Sequence, residues 1–419
     1  MATRKRKSQT IKNRIYLDNA SATRLDPAVS KYMDAVGAIF GNPSALHKEG
    51  QRARAVVEAS RAQVAETMNV QPREIIWTSG TTEANTLAIR GTIMAVYASL
   101  KNTGKIPHIV TTKIEHASVL ETCRALEAQG FAEVTYVDVG PNGIVDPKVI
   151  KAALKDATVL VSVMYANNEI GTIQPVREIA KEIRHYKKNI QITKNDLLHR
   201  NAGRTNHYPL FHTDAAQAGN YLEIHADRLG VDLLSMGGGK LYGPKGIGFL
   251  YVRRNTQITP IHQGGGQEFG LRSGTESVSE IVGCAYAFVR AQENREKESQ
   301  RQAKLRDGLF DDLVKNFPDM RINGDQTQRI PNNINVSFPG IESEELVLRL
   351  DAKGIAVSGK SACESDSPEE SHVLRALYGD SDSMMGSLRI SIGNTTTKKE
   401  IEIFLKTLKD VHTMLTYTK

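Results

Sequence analysis

A chain of 419 residues, 40% hydrophobic and 24% charged, is long enough for more than one domain and has the composition of a soluble globular protein. No apolar run approaches the ~18 residues of a membrane span, and Cys123, Cys284 and Cys363 are too scattered for a disulfide framework or a zinc site, which fits a reducing, cytoplasmic setting. The net charge of +7 is concentrated in the opening MATRKRKSQTIKNR, so the body is close to neutral and a nucleic-acid-binding face on the fold is disfavoured.

Residues 1–14 are predicted to form a disordered basic arm, without the apolar stretch of a signal peptide or the apolar face of a transit helix. A weak touch on RNA or another acidic partner is the only nucleic-acid role it suggests. IYLDNASATRLDP (15–27) is a short strand running into a polar turn, followed by helical spacing over 27–39 and the loop FGNPSALH (40–47). Apolar residues at helical intervals predict a long helix over 48–68. EIIWTSGTTEAN (74–85) passes from strand through a glycine-containing turn to a helix N-terminus, the arrangement whose free N–H groups hold phosphate. Strands then alternate with helices: HIVTTKIEH (108–116), EVTYVDV (133–139), TVLVSVMYANNEIG (158–171) and YPLFHTDAAQAG (208–219). A helix is expected from 175 to about 186, and the polar, aperiodic 188–207 as an inserted mobile loop. In DLLSMGGGKLYGPKGIGFLYVRR (232–254) two apolar strands flank a triple glycine, Lys240 and a Gly-Pro turn. A long charged helix is expected over 278–317, and 320–419 alternates strands and helices.

This pattern predicts an α/β fold with a mostly parallel sheet. The expected division is a large unit over 15–275 and a smaller α/β unit over 276–419. In such sheets ligands bind beyond the carboxyl ends of the strands. Thr82, His116, Asn168, Asp214 and Lys240 all fall at or just past predicted strand ends.

Each of these residues has a plain reading. Lys240 alone reads first as a surface lysine after a turn; it is not a P-loop lysine, because Leu241 stands where Ser or Thr must hold magnesium. Asp214 alone reads equally as a helix cap before AAQ, and a single histidine such as His116 is usually structural. Together they match the needs of a pyridoxal-phosphate site. Lys240 supplies an amine for a Schiff base. Asp214 supplies a carboxylate for the pyridine nitrogen, and His116 a flat group for the ring face. Gly80, Thr81 and Thr82 supply a helix N-terminus with hydroxyls for the phosphate.

YLDNASAT, FGNPSALH, WTSGTTEAN, KIEHASVL, VSVMYANNEIGTIQPV, FHTDAAQAG, KLYGPKGIGFLYVRR, GGGQEFGLRSGT, SGKSAC, HVLRAL and LRISIGNTTT extend over nearly the whole chain. On these stretches it resembles the cysteine desulfurases of the NifS/IscS-like branch of the class-V aminotransferases. The resemblance implies the PLP-dependent fold type I: a large, mostly parallel, seven-stranded-type sheet domain, a smaller α/β domain, and a homodimer with shared active sites. It implies that Lys240 is the Schiff-base lysine and proton carrier, Asp214 the partner of the pyridine nitrogen, and His116 the stacked ring. Gln217 and Asn168 would contact the ring hydroxyl, and Thr82 with the backbone of Thr81 the phosphate, joined by Thr275 from the other subunit. Arg389 would clamp the substrate carboxylate in a pocket also lined by Asn42. Cys363, in the Ser/Gly/Asp-rich SGKSACESDSPEE, would take sulfur from L-cysteine as a persulfide with release of alanine. No resident metal is implied; Cys363 is the side chain expected to touch an iron–sulfur cluster in passing.

The family usually carries Ser-x-His immediately before the lysine, both side chains binding phosphate. Here Gly237, Gly238 and Gly239 stand there. Their backbone N–H groups can still form an anion nest, and Ser235 and Lys245 are the expected compensating donors. The sequence ends at LTYTK, without the tail by which housekeeping members hold their scaffold partner, which speaks against that partner; the resemblance implies a protein sulfur acceptor in iron–sulfur assembly or tRNA thiolation. A selenocysteine lyase or another cysteine-cleaving enzyme is the alternative. A catalytically silent binding protein of the same fold is the alternative of another class.

Overall fold

The computed structural model describes residues 14–193, 208–359, 371–379 and 385–417. The chain opens with β1 (Ile15–Tyr16), α1 (Pro27–Val36) and α2 (Lys48–Met68). Helix α2 buries Ala53, Val57, Ser60, Arg61, Val64 and Met68 at helical spacing, is capped by His47, and stops at Asn69 in the left-handed region (φ 55°). A repeating strand–helix series follows: β2 (Ile75–Thr78), α3 (Thr81–Lys101), β3 (His108–Thr112), α4 (Ala117–Ala128), β4 (Glu133–Val137), α5 (Pro147–Ala152), β5 (Thr158–Ser162) and α6 (Val176–Thr193). Then come β6 (Leu210–Asp214), α7 (Ala226–Leu229), β7 (Leu233–Gly237) and β8 (Gly248–Val252).

The seven strands β2 to β8 form one sheet in the order β2-β8-β7-β6-β5-β3-β4. Pairings from β7 through β4 are parallel, while β8 runs antiparallel to both neighbours. β2, β3, β5, β6, β7 and β8 are buried along their whole length. That is why they read as continuous apolar runs rather than alternating ones. One face packs Val110, Val161, Phe211, Leu234 and Phe249 against Val57, Ile179 and Phe288. The other packs Ile109, Leu160, Leu210 and Leu233 against Leu87 and Val119 of α3 and α4.

The long helix α8 (Val278–Asn316) leads to β9 (Arg321–Ile322), β10 (Asn333–Pro339), α9 (Ser343–Ala352), β11 (Ile355–Ala356), α10 (His372–Tyr378), β12 (Met385–Ser391) and α11 (Lys398–Tyr417). β12, β10 and β9 form an antiparallel sheet, and β1 pairs in parallel with β11. Their core holds Val336, Phe338, Leu388, Ile390, Leu346 and Phe404, together with Ile15 and Leu17. Two expectations change. Residues 15–17 pack with the C-terminal sheet because Ile15 and Leu17 are apolar anchors for it. Helix α6 runs to Thr193, so 188–193 is helical rather than part of a loop; the rest of the expected insertion lies outside the described residues. No helix of the described residues is long and apolar enough to cross a membrane.

Candidate active site

Because β2, β3, β5, β6 and β7 point the same way, their carboxyl ends share one edge, and the singled-out residues fall on it. Gly80 (φ 146°) makes the turn out of β2 in a conformation side chains rarely adopt, and α3 starts at Thr81. The N–H groups of the first turn have no carbonyl a turn earlier to bond, and they face outward with the dipole of a 21-residue helix behind them. Thr81 is half-buried and Thr82 exposed. Burial pushes Glu83 up, but hydrogen bonds from Arg272 and from Ser79 outweigh it and hold the carboxyl below its ordinary value. An ionised Glu83 suits the helix start and ties in Arg272, whose Nε donates to Oε1 at 2.9 Å.

A hydrogen-bond relay links His116 to Asp214. His116 caps α4, its Nδ1 accepting from Ser118 N at 3.1 Å and lying 2.8 Å from Ser118 Oγ. With Nδ1 accepting, the ring proton sits on Nε2. Asn85 Nδ2 donates to Ser118 Oγ at 2.8 Å and to Asp214 Oδ2 at 2.7 Å. Asp214 Oδ1 accepts from Ala216 N at 2.9 Å in a turn, so Asp214 does not cap a helix before 215–217. Asn85 and Ser118 were not singled out from sequence. The signal was present, since Ala84, Asn85 and Ala88 share a buried helical face; an amide there must have a polar partner.

Behind the relay, Glu115 is fully buried and accepts from Thr112 Oγ1 at 2.7 Å and Met164 N at 3.0 Å. Burial, then the nearby Asp214 charge, pushes its carboxyl up to about 8 against those two hydrogen bonds. His372 Nε2 lies 2.9 Å from Glu115 O, and Ser371 Oγ donates to Glu169 Oε2 at 2.5 Å. The start of α10, just beyond the cysteine-bearing segment, is therefore fastened to the site. Cys363 itself lies outside the described residues. Cys123 and Cys284 are buried, and burial pushes each thiol up to about 12.

Lys240 follows β7 and lies under residues 18–23. Its Nζ donates to Ala20 O at 2.7 Å and to Ser21 O. Gln217 Nε2 donates to the same Ala20 O at 2.9 Å, and Thr23 Oγ1 donates to Gly239 O at 3.0 Å. Arg389, on β12, reaches the same place although only 2% exposed. Its Nη1 donates to Asn168 O at 2.9 Å and its Nη2 to Asp18 Oδ1 at 2.9 Å and Ser21 Oγ at 2.6 Å. Arg389 Nε and Asn168 Oδ1 are buried without a hydrogen-bond partner among the described residues. Lys240, Asn168, Asp214, His116, Gln217 and Arg389 are thus brought to one place, with Thr81 and Thr82 at the adjoining helix start.

Other expected residues are not brought in. Ser235 is corrected: it is fully buried on β7, and its Oγ lies 2.9 Å from His212 Nε2. It points under α3, two residues back from the strand end. Asn42 is exposed, its Oδ1 accepting from Ser44 N in its own loop. Thr275 is exposed on the loop after Arg272. Lys245 is also exposed, its stem lying beside Gly239, where an added Cβ would be 3.3 Å from Lys245 Cγ.

The model of the family described as Aminotransferase class-V matches residues 15–193 and 199–404. The chain is 41% identical to "Cysteine desulfurase IscS" of Dictyoglomus turgidum over 402 residues, 96% of this chain and 95% of that protein. A solved structure described as a NifS-like protein superposes with a TM-score of 0.83 at 33% identity, over 96% of this chain and 100% of that one. Another, "SspA in complex with cysteine", gives 0.72 at 31% identity over 90% and 98%.

Proposed function

The chain belongs to the class-V aminotransferase family, and from that premise we propose that it is a pyridoxal-phosphate-dependent L-cysteine desulfurase. It moves the sulfur of cysteine onto its own Cys363 as a persulfide and releases alanine. The observation that carries this reading is the convergence of an amine, a carboxylate, an imidazole and a guanidinium on one sheet edge: Lys240, Asp214, His116 and Arg389.

The donor set fits the cofactor. Asn168 Oδ1 and Arg389 Nε are buried polar atoms with unmet hydrogen bonds among the described residues. The helix start at Thr81 lies directly beside the glycine run, the Thr81 hydroxyl filling the space a side chain at 237 would take. When bound, pyridoxal phosphate supplies an electron sink that makes the substrate Cα proton removable.

The chain's own residues do the rest. Asp214, oriented by Asn85, would hold the protonated ring nitrogen, Asn168 and Gln217 would take the ring hydroxyl, and His116 would cover the ring. The first turn of α3, the backbone at Gly237 and Gly239, and Thr275 of a second copy would hold the phosphate. Arg389 would take the substrate carboxylate bidentately. Lys240 anchors the cofactor and moves the proton at Cα. The Cys363 thiolate would then attack the substrate Sγ: the S–S bond forms as Sγ–Cβ breaks, the bonding pair stays on Cβ, and protonation at Cβ leaves alanine.

We place the enzyme as a cytoplasmic homodimer feeding iron–sulfur assembly or tRNA thiolation. The purified protein should be yellow and release one alanine per sulfur transferred from cysteine. Lys240→Ala should lower turnover by roughly 10³-fold or more. Cys363→Ala should retain the colour and lose persulfide formation. A protein that stays colourless with added cofactor overturns the reading in favour of a silent binding protein; turnover of selenocysteine alone would favour a lyase.

A further inference from the structure

Gly237 has a backbone that does not require glycine. Its φ of −137° and ψ of 134° are ordinary extended values. What requires glycine is space: a Cβ added there would lie 2.3 Å from Thr81 Oγ1, 3.3 Å from Thr81 N and 3.6 Å from Thr81 Cβ. The volume that a side chain at the end of β7 would fill is taken by the hydroxyl of the first residue of α3.

That hydroxyl is also uncommitted. Around it, Thr78 Oγ1 donates to Gly80 O, Thr86 Oγ1 to Thr82 O and Thr23 Oγ1 to Gly239 O, and Ser235 pairs with His212. Thr81 Oγ1 has no such bond among the described residues. It stands half-buried at a helix N-terminus whose N–H groups favour an anion.

Resting on the proposed cofactor, we propose that Thr81 Oγ1 is the phosphate donor that replaces the serine hydroxyl missing at 237. The donor has moved across a gap of one side chain, from the end of a strand to the start of a helix. Gly237 is then the counterpart of Thr81 rather than a sign of decay.

The full-length protein, stripped of cofactor, is titrated with pyridoxal phosphate and, as a control, with pyridoxal, which has the same ring and aldehyde but no phosphate. Binding is read by absorbance, and the bound phosphate by phosphorus NMR. Thr81→Val keeps the shape and removes the hydroxyl. It should weaken pyridoxal phosphate binding roughly 10- to 100-fold, as expected for a hydrogen bond to a charged group, shift the phosphorus resonance, and leave pyridoxal binding unchanged. Thr81→Ser should bind like the parent. Gly237→Ser alone should weaken binding by collision, and Thr81→Ala with Gly237→Ser should recover most of the loss seen for Thr81→Ala.

Parental phosphate-ester affinity and phosphorus shift in Thr81→Val would overturn the proposal. Equal losses for both ligands would reduce Thr81 to a packing role and overturn it as well. Should Thr81→Val not fold, the double variant decides: affinity no better than Thr81→Ala alone refutes the exchange of donors. If the parent itself fails to bind pyridoxal phosphate, the proposed function falls first.

Discussion

Asn85 serves two acceptors with one amide nitrogen, and both belong to the site. Replacing it with Ala leaves Asp214 Oδ2 and Ser118 Oγ without their donor. A lost hydrogen bond to a charged group costs about 1.5–3 kcal/mol, so Asn85→Ala should weaken cofactor binding by roughly tenfold or more and shift the visible absorbance. An unchanged spectrum would show that Asp214 is oriented without it. Glu115 makes a second prediction at this scale. Its carboxyl is held near pH 8 in the fold against an ordinary 4.5. Below pH 4.5 it is neutral in both states and its burial carries no ionisation penalty. Between 4.5 and 8 only the unfolded chain releases the proton, so native stability falls as pH rises. Glu115→Gln should remove that fall in cofactor-free protein, seen as a flatter melting temperature between pH 5 and 8; an unchanged slope would refute it. Lys240, Asp214 and His116 were legible because glycines, strand ends and motif context mark them. Asn85 and Ser118 were not, because a polar residue inside a helix carries no local sign of its distant partner. Ser235 was misread for a geometric reason: two strand residues span about 6.6 Å, which places its hydroxyl beneath α3 beside His212 rather than at the open edge.

Helix α2 shows how an element's inner face can be charged. Arg61 lies on it, donating to Glu268 Oε2 at 2.7 Å and Oε1 at 2.8 Å, with both side chains at most 3% exposed. Glu268 also accepts from Trp77 N of β2 at 2.8 Å. The pair fixes Glu268 (φ 50°) and Phe269 (φ 60°) in left-handed backbone, setting the course of the loop that carries Arg272 and Thr275. Arg61→Ala strands a buried carboxylate and should cost about 3–5 kcal/mol in denaturant unfolding. Arg61→Met with Glu268→Leu should lose less, and equal losses would mean the pair is not the cause. The alternation of strands and helices was readable from period and punctuation. The inward-facing Arg61 was not, since periodicity assigns charge to solvent. The length of α6 was underestimated because polarity was taken for a loop, although the stretch after 175 has no Gly or Pro before 203 to stop a helix.

The two main cores are joined by α8, whose 39 residues span about 58 Å. Ile281, Cys284 and Phe288 sit in the core of the large sheet, and Leu309, Phe310 and Leu313 in that of the antiparallel sheet. The stretch between them is exposed at Glu296, with Gln292 bonded to Gly219 O and Leu222 O and Arg301 to Gly393 O and Thr396 O on either side, and the helix's own hydrogen bonds carry the connection between these anchors. Glu296→Pro removes one bond and adds a clash worth about 3 kcal/mol. Calorimetry should then resolve two transitions where the parent shows one, and a single transition at the parental temperature would refute the coupling. The strand order was beyond the sequence. Nothing local states that β8 enters between β2 and β7, or that Ile15 pairs with Ile355, because such partnerships are settled by which apolar faces remain to be covered.

Arg389 comes from the C-terminal sheet and Asp18 from the N-terminal strap, and they meet at 2.9 Å as an ion pair. In the proposed enzyme the clamp is therefore already neutralised by a carboxylate of the chain. Substrate entry becomes an ion exchange in which one carboxylate replaces another, so the charge beside the guanidinium is conserved while its owner changes. An amino acid can make that trade. A thiol amine of the same size has no carboxylate to offer, and would be turned away before any bond is at stake.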